Sequence, residues 1–83
     1  MLQFSFYLEY DGRRTVSTYD APTEVIRANG LLEALSLFAE KRKLKKAGSE
    51  TLENGQVRAY FMQKKLFSAP REYVYMVREA NKE

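Results

Sequence analysis

Residues 29–44 read NGLLEALSLFAEKRKL, and they form the stretch of this 83-residue chain that predicts an α-helix. At 100° per residue, one stripe of the helix is apolar and should face the core. Asn29 or Gly30 is the predicted N-cap, and Glu33 places a negative charge in the first turn, where it suits the helix dipole. The stripe consists of Leu31, Ala34, Leu35, Phe38 and Ala39.

The end of this helix is basic, and its charge has two interpretations. Arg42, Lys45 and Lys46 continue in the direction of the apolar stripe, so the stripe cannot be buried beyond them. The helix should therefore end near Lys41 or overhang the sheet, with Gly48 as a left-handed residue after its end. The cations either neutralise the dipole or bind nucleic acid. The candidate nucleic-acid residues are Lys41, Arg42, Lys43, Lys45 and Lys46.

Before the helix, the sequence predicts a β-hairpin. Apolar residues alternate with polar ones over residues 2–10, which is typical of a strand with one buried face. Asp11-Gly12 suits a two-residue turn, and a second strand should follow it. Asp20-Ala21-Pro22 should interrupt that strand before it resumes over residues 23–28.

After the helix, the sequence predicts a second hairpin and a final strand. Asn54-Gly55 is a turn signal between a short strand, ETL, and a longer one, QVRAYFM. Val57, Ala59 and Phe61 should face the helix, whereas the last strand, REYVYMVRE, is apolar on both faces. The prediction is a single α+β domain over residues 1–83. Its sheet is mainly antiparallel, in the order β-β-α-β-β with an extra short strand left open, and one helix packs on one face.

A single helix covers one side of such a sheet, so the other side should be an interaction face. Aromatic rings and cations interleave there on the expected register. The first interpretation is a protein interface, with self-association as a homodimer. The second is stacking of nucleic-acid bases together with the basic helix end, and the third is cross-strand pairing without a partner. The predicted face comprises Tyr7, Arg58, Tyr60, Met62, Lys64, Tyr73 and Tyr75.

Composition argues against most chemistry. The chain has no His and no Cys, which removes imidazole and thiolate catalysis and the usual zinc ligands. Glu9, Asp11 and Asp20 leave only a minor alternative, a carboxylate-based metal-dependent enzyme. The segment GQVRAYFM has the wrong glycine spacing for an RNA-recognition motif. We therefore expect a small binding or accessory protein, not an enzyme, without cofactor, metal, membrane segment or evident small-molecule substrate, in the cytoplasm.

Overall fold

The computed structural model describes residues 1–16, 21–63 and 69–80. It confirms a compact α+β domain with one helix on an antiparallel sheet. The strands are β1 (Leu2–Tyr10), β2 (Glu24–Ala28), β3 (Lys45–Thr51), β4 (Val57–Gln63) and β5 (Arg71–Ala80), and the helix is α1 (Leu31–Arg42). The order along the chain matches the prediction with its extra strand. That strand, β3, is longer than predicted and begins at Lys45.

The sheet has the spatial order β2-β1-β5-β4-β3, and neighbouring strands are antiparallel. β5 therefore lies in the centre although it comes last in the chain, and β2 and β3 form the two edges. A strand flanked on both sides is shielded by its neighbours on both faces. This agrees with three consecutive buried residues, of which Tyr75 and Val77 face the helix and Met76 faces the other side. All seven residues of the edge strand β3 are exposed.

Helix α1 connects the two edges by crossing one face of the sheet. Its 12 residues span about 18 Å, which matches the roughly 19 Å of four interstrand spacings. The helix begins after Gly30, and the Glu33 carboxylate accepts a hydrogen bond of 2.7 Å from the Asn29 backbone N–H. It ends at Arg42, so the alternative of an end near Lys41 is confirmed.

The predicted end residue, however, is wrong. Lys43, not Gly48, is the left-handed residue, with φ 57°, and its N–H bonds to the Glu40 carbonyl. Gly48 lies within β3, next to an irregularity in its pairing with β4. The chain reverses early because Leu44 packs against the core, which brings Lys45 directly into the sheet.

The core between helix and sheet centres on Phe38, as predicted. Its ring stacks on Phe6 at 4.1 Å and 3° between planes, and it meets Phe61 at 5.1 Å and Tyr75 at 4.7 Å. The helix residues Ala34, Leu35 and Ala39 are buried beside it. Leu31, the remaining member of the predicted stripe, is half-buried against the same cluster.

The first turn is longer than the two residues predicted. Tyr10 pairs with Thr15, so four residues lie between them. The Asp11 carboxylate accepts hydrogen bonds of 3.0 Å from the backbone N–H groups of Arg13 and Arg14, which stabilises this wider turn. Asp20 lies outside the described residues. Ala21 and Pro22 precede β2 and belong to no strand, as their sequence predicts.

Candidate interaction surface

The face of the sheet opposite the helix is named here the open face. Its members follow from the strand register. Val57, Ala59 and Phe61 of β4 are buried under the helix, and their cross-strand partners point to the same side. The residues between them in each strand therefore point to the open face. Within the described parts of the chain no element covers this face. Its main residues are Tyr7, Glu9, Glu50, Arg58, Tyr60, Met62, Val74, Met76 and Arg78.

Four of the seven residues predicted for the interaction face lie together on the open face: Tyr7, Arg58, Tyr60 and Met62. Two do not, and their predicted position is wrong. Tyr75 pairs with Ala59 and Tyr73 pairs with Phe61, which places both rings on the helix side. The seventh, Lys64, lies outside the described residues.

Tyr75 belongs to the core because Ala59 leaves room beside it. Ala59 has a small side chain directly opposite Tyr75 on the neighbouring strand, and the tyrosine ring fills the space below Phe38 with its edge toward that ring. Only 4% of Tyr75 is exposed, and burial raises the pKa of its phenol. Matching a small residue with a large one across two strands was the signal that could have fixed the phase of β5.

The open face is crossed by a chain of polar contacts that sequence reasoning missed. The Arg58 Nε donates to the Glu9 carboxylate at 2.8 Å, reaching from β4 over β5 to β1. On its other side an Arg58 Nη lies 3.7 Å from a carboxylate oxygen of Glu50, which also accepts a hydrogen bond of 2.8 Å from the Tyr60 hydroxyl. We name these four residues the polar bridge.

The electrostatics of the polar bridge follow from these contacts. The Glu9 carboxylate raises the pKa of Arg58, and the hydrogen bond to Glu50 raises the pKa of Tyr60. Arg58 therefore stays charged and Tyr60 stays neutral across the physiological range. The Glu9 side chain is only 13% exposed, so its charge depends on Arg58 for compensation.

Beneath the polar bridge the open face is apolar. Met76 lies between Arg58 and Tyr7 in the register and is only 7% exposed, although the helix is on the other side of the sheet. Arg78 lies over the Tyr7 ring, 5.2 Å from its centroid. Met62 and Val74 are half-buried on the same face. Long polar side chains thus cover part of an apolar layer and leave the rest accessible.

The basic residues 41–46 do not form one cluster. Lys41 and Arg42 both pair with Glu24 on β2, and Arg42 also lies 5.8 Å from the centroid of the Phe38 ring. Lys46 donates to the Ser36 hydroxyl at 2.8 Å. Lys45 lies on the open face opposite Met62, and Lys43 is exposed after the helix. The expectation that Arg42, Lys45 and Lys46 project together is therefore wrong, because the strand begins between them.

The candidate carboxylates for a metal are engaged elsewhere. Glu9 pairs with Arg58, and the hydrogen bonds from Arg14 and Arg13 lower the pKa of Asp11. In residues 1–16, 21–63 and 69–80 no three acidic side chains are grouped so that they could hold a metal ion.

Comparison with known proteins gives no match to a family model, to a curated protein or to a solved structure. No helix in the described part of the chain is long and apolar enough to cross a membrane.

Proposed function

We propose that the protein is a small non-enzymatic interaction module whose open face binds a second copy of the same chain. The observation that supports this is the one-sided cover of the sheet. Tyr7, Met62 and Val74 stay half-exposed on a face that no described element covers. A continuous apolar and aromatic area on a domain of this size usually marks an interaction site.

The charges of the open face favour protein over nucleic acid. Arg58 lies between two glutamates and has little net attraction left for a phosphate. The face also carries Glu72 and Lys45, both opposite Met62 in the register. When two copies of a surface with both signs of charge pack about a twofold axis, cations of one copy can pair with carboxylates of the other. Each such pair then occurs twice in the interface.

The small size of the face favours a weak and reversible interaction. Five strands spaced about 4.8 Å apart, each contributing roughly eight residues of 3.3 Å, give a footprint of about 600 Å². Stable interfaces bury about 800 Å² per partner, so this one is at the small end. We expect a reversible dimer with a dissociation constant in the micromolar range.

The absence of His and Cys from the sequence supports a binding role over catalysis. A chain without cysteine is also suited to the reducing cytoplasm, where we place it.

Sedimentation velocity over a range of concentrations tests the proposal with one matched pair of variants. Met62→Asp introduces a charge on the open face, and Leu32→Asp introduces the same charge on the outer side of the helix, where Leu32 is 72% exposed. We expect the wild type and Leu32→Asp to dimerise and Met62→Asp to be a folded monomer. A wild type that stays monomeric at high micromolar concentration contradicts the proposal.

Nucleic-acid binding is the alternative outcome. Lys43 and Lys45 are the two residues of the basic run with no side-chain partner in the described parts of the chain. Titration with single- and double-stranded oligonucleotides near physiological salt decides between the functions. Binding that the double variant Lys43→Ala/Lys45→Ala abolishes, without loss of folding, would replace self-association by nucleic-acid binding.

A further inference from the structure

We propose that the cavity between the first turn and the start of β5 binds a small molecule through its carboxylate or phosphate group. The cavity has a volume of about 480 Å³, within the range of about 300–1,000 Å³ that is typical of ligand sites. It lies at the end of the sheet and shares Glu72 with the open face, but the inference does not require that face to bind a partner. Its lining residues are Tyr10, Gly12, Arg13, Ala69, Pro70, Arg71 and Glu72.

Arg71 is the anchor of this site because its side chain is already fixed. The Nε donates to the Asp11 carbonyl at 2.7 Å, and the guanidinium carbon lies 5.5 Å from the centroid of the Tyr73 ring. Both contacts leave the two terminal nitrogens available, since no hydrogen bond joins them to the described residues. A guanidinium held in one orientation is a planar donor that matches an oxyanion, and less entropy is lost when it binds.

Because Gly12 has no side chain, the Arg71 side chain can occupy this position. The glycine has φ 94°, and a Cβ built on it would lie 2.4 Å from the Arg71 Cγ and 2.8 Å from its Nε. Any side chain at residue 12 would therefore push the arginine away from Asp11 and strain the turn. The first turn and the first residue of β5 thus fit each other at this one point.

Arg13 is the second arginine that lines the same cavity. Its backbone is held by Asp11, whereas its side chain is exposed and has no partner in the described part of the chain. Glu72 is the one carboxylate that lines the cavity, and the Asp11 carboxylate, outside the lining, also interacts with the charge of Arg71. An anionic group between the two arginines would reduce their mutual repulsion.

The other lining residues define the rest of the ligand. Tyr10, Ala69 and Pro70 offer an aromatic and aliphatic wall, so the ligand class is an organic acid or a phosphate ester with an apolar or planar body. A free inorganic anion would use the arginines alone.

The two adjacent arginines of the turn give a matched test. Arg13 and Arg14 are both exposed, and the backbone N–H of each donates a hydrogen bond to the Asp11 carboxylate. Of the two, only Arg13 lines the cavity. Inorganic phosphate, phenyl phosphate and benzoate serve as probes, followed by amide chemical shifts in an NMR titration of the full chain at constant ionic strength. We expect saturable shifts at Gly12, Arg13 and Arg71, with phenyl phosphate or benzoate binding more tightly than inorganic phosphate.

Arg13→Gln should weaken binding about three- to fivefold, as loss of one exposed charge pair does, while Arg14→Gln changes it by less than about twofold. Glu72→Gln should strengthen binding by a similar factor, which a variant that merely damages the fold would not do. Linear, non-saturable shifts with all three probes would overturn the proposal. Equal weakening by Arg13→Gln and Arg14→Gln would also overturn it, because it would show general attraction to a basic turn.

Discussion

On the helix side of the sheet, Phe38 stacks on Phe6, contacts the tilted ring of Phe61 and meets Tyr75 in a T-shaped arrangement. On the open face, Arg58 connects Glu9 with Glu50 across the four strands β1, β5, β4 and β3. Both faces use long side chains of the same central strands. The helix side is stabilised by buried rings whose shapes fit together, whereas the open face carries charged contacts and stays partly exposed to solvent.

This difference separates the side chains that stabilise the fold from those that are left available to a partner. Burial of apolar surface removes it from any partner, so the helix side stabilises the fold and is not available for binding. The polar bridge contributes less to stability and leaves apolar side chains at the surface. Substitutions should therefore affect folding on the helix side and association on the open face.

Substitution of Tyr75 on the helix side and of Tyr60 on the open face should show the largest difference between the two faces. Tyr75→Asp places a carboxylate at a position that is 4% exposed among aromatic rings, and we expect a loss of at least about 4 kcal/mol, enough to unfold a domain of this size. Tyr60→Asp should leave a folded monomer. Circular dichroism and sedimentation measure both, and a folded Tyr75→Asp variant would mean that the phase of β5 is wrong.

Phe38→Ala tests the centre of the helix side. Its ring is fully buried and contacts the rings of all three central strands, so we expect a loss of about 3–5 kcal/mol from the transfer of the ring and the cavity left behind. Urea unfolding measures the change. Leu37→Ala, at a neighbouring residue that is 39% exposed, is the control and should cost less than about 1 kcal/mol.

Arg58→Met tests the polar bridge. The substitution removes the cation that pairs with the largely covered Glu9 carboxylate at 2.8 Å, and we expect a loss of about 1 kcal/mol that shrinks at high salt. The double variant Arg58→Met/Glu9→Gln should recover part of it, because the covered charge that Arg58 compensates is removed together with Arg58. Urea unfolding at two salt concentrations measures both; identical losses in the single and double variants would show that Arg58 acts by packing alone.

Glu24→Gln should have the smallest effect and a defined pH dependence. The hydrogen bond from Lys41 lowers the pKa of Glu24 below its ordinary value of 4.5, with Arg42 as a second partner. A lowered pKa stabilises the fold above the ordinary value, and this contribution fades as the pH falls through the folded-state pKa. We expect the wild type to be more stable than the variant by up to about 1 kcal/mol at neutral pH, and the two to be equally stable once the pH is below the folded-state pKa of Glu24. A difference that persists in acid would contradict the ion pair.

Sequence periodicity predicted the helix, its buried stripe and the turn at Asn54-Gly55, because each depends on neighbouring residues. The left-handed residue after the helix was misplaced at Gly48 because the packing of Leu44, not the nearest glycine, decides where the chain reverses. The side of Tyr73 and Tyr75 could not be read from β5 alone, since both faces of that strand are apolar. The polar bridge joins residues 49 positions apart, and only the register of three strands reveals it.

The central claim is that the open faces of two copies pack together. The sequence contains no cysteine, so single spin labels can be attached at Met62→Cys on the open face or at Leu32→Cys on the outer helix side. Pulsed electron resonance then measures the distance between the two labels of a dimer. Face-to-face packing predicts that the Met62 labels are closer together than the Leu32 labels, which two helix layers and two sheets should separate by at least about 30 Å. A dimer in which the Leu32 labels are the closer pair, or the absence of any dipolar coupling at high micromolar concentration, would contradict the account.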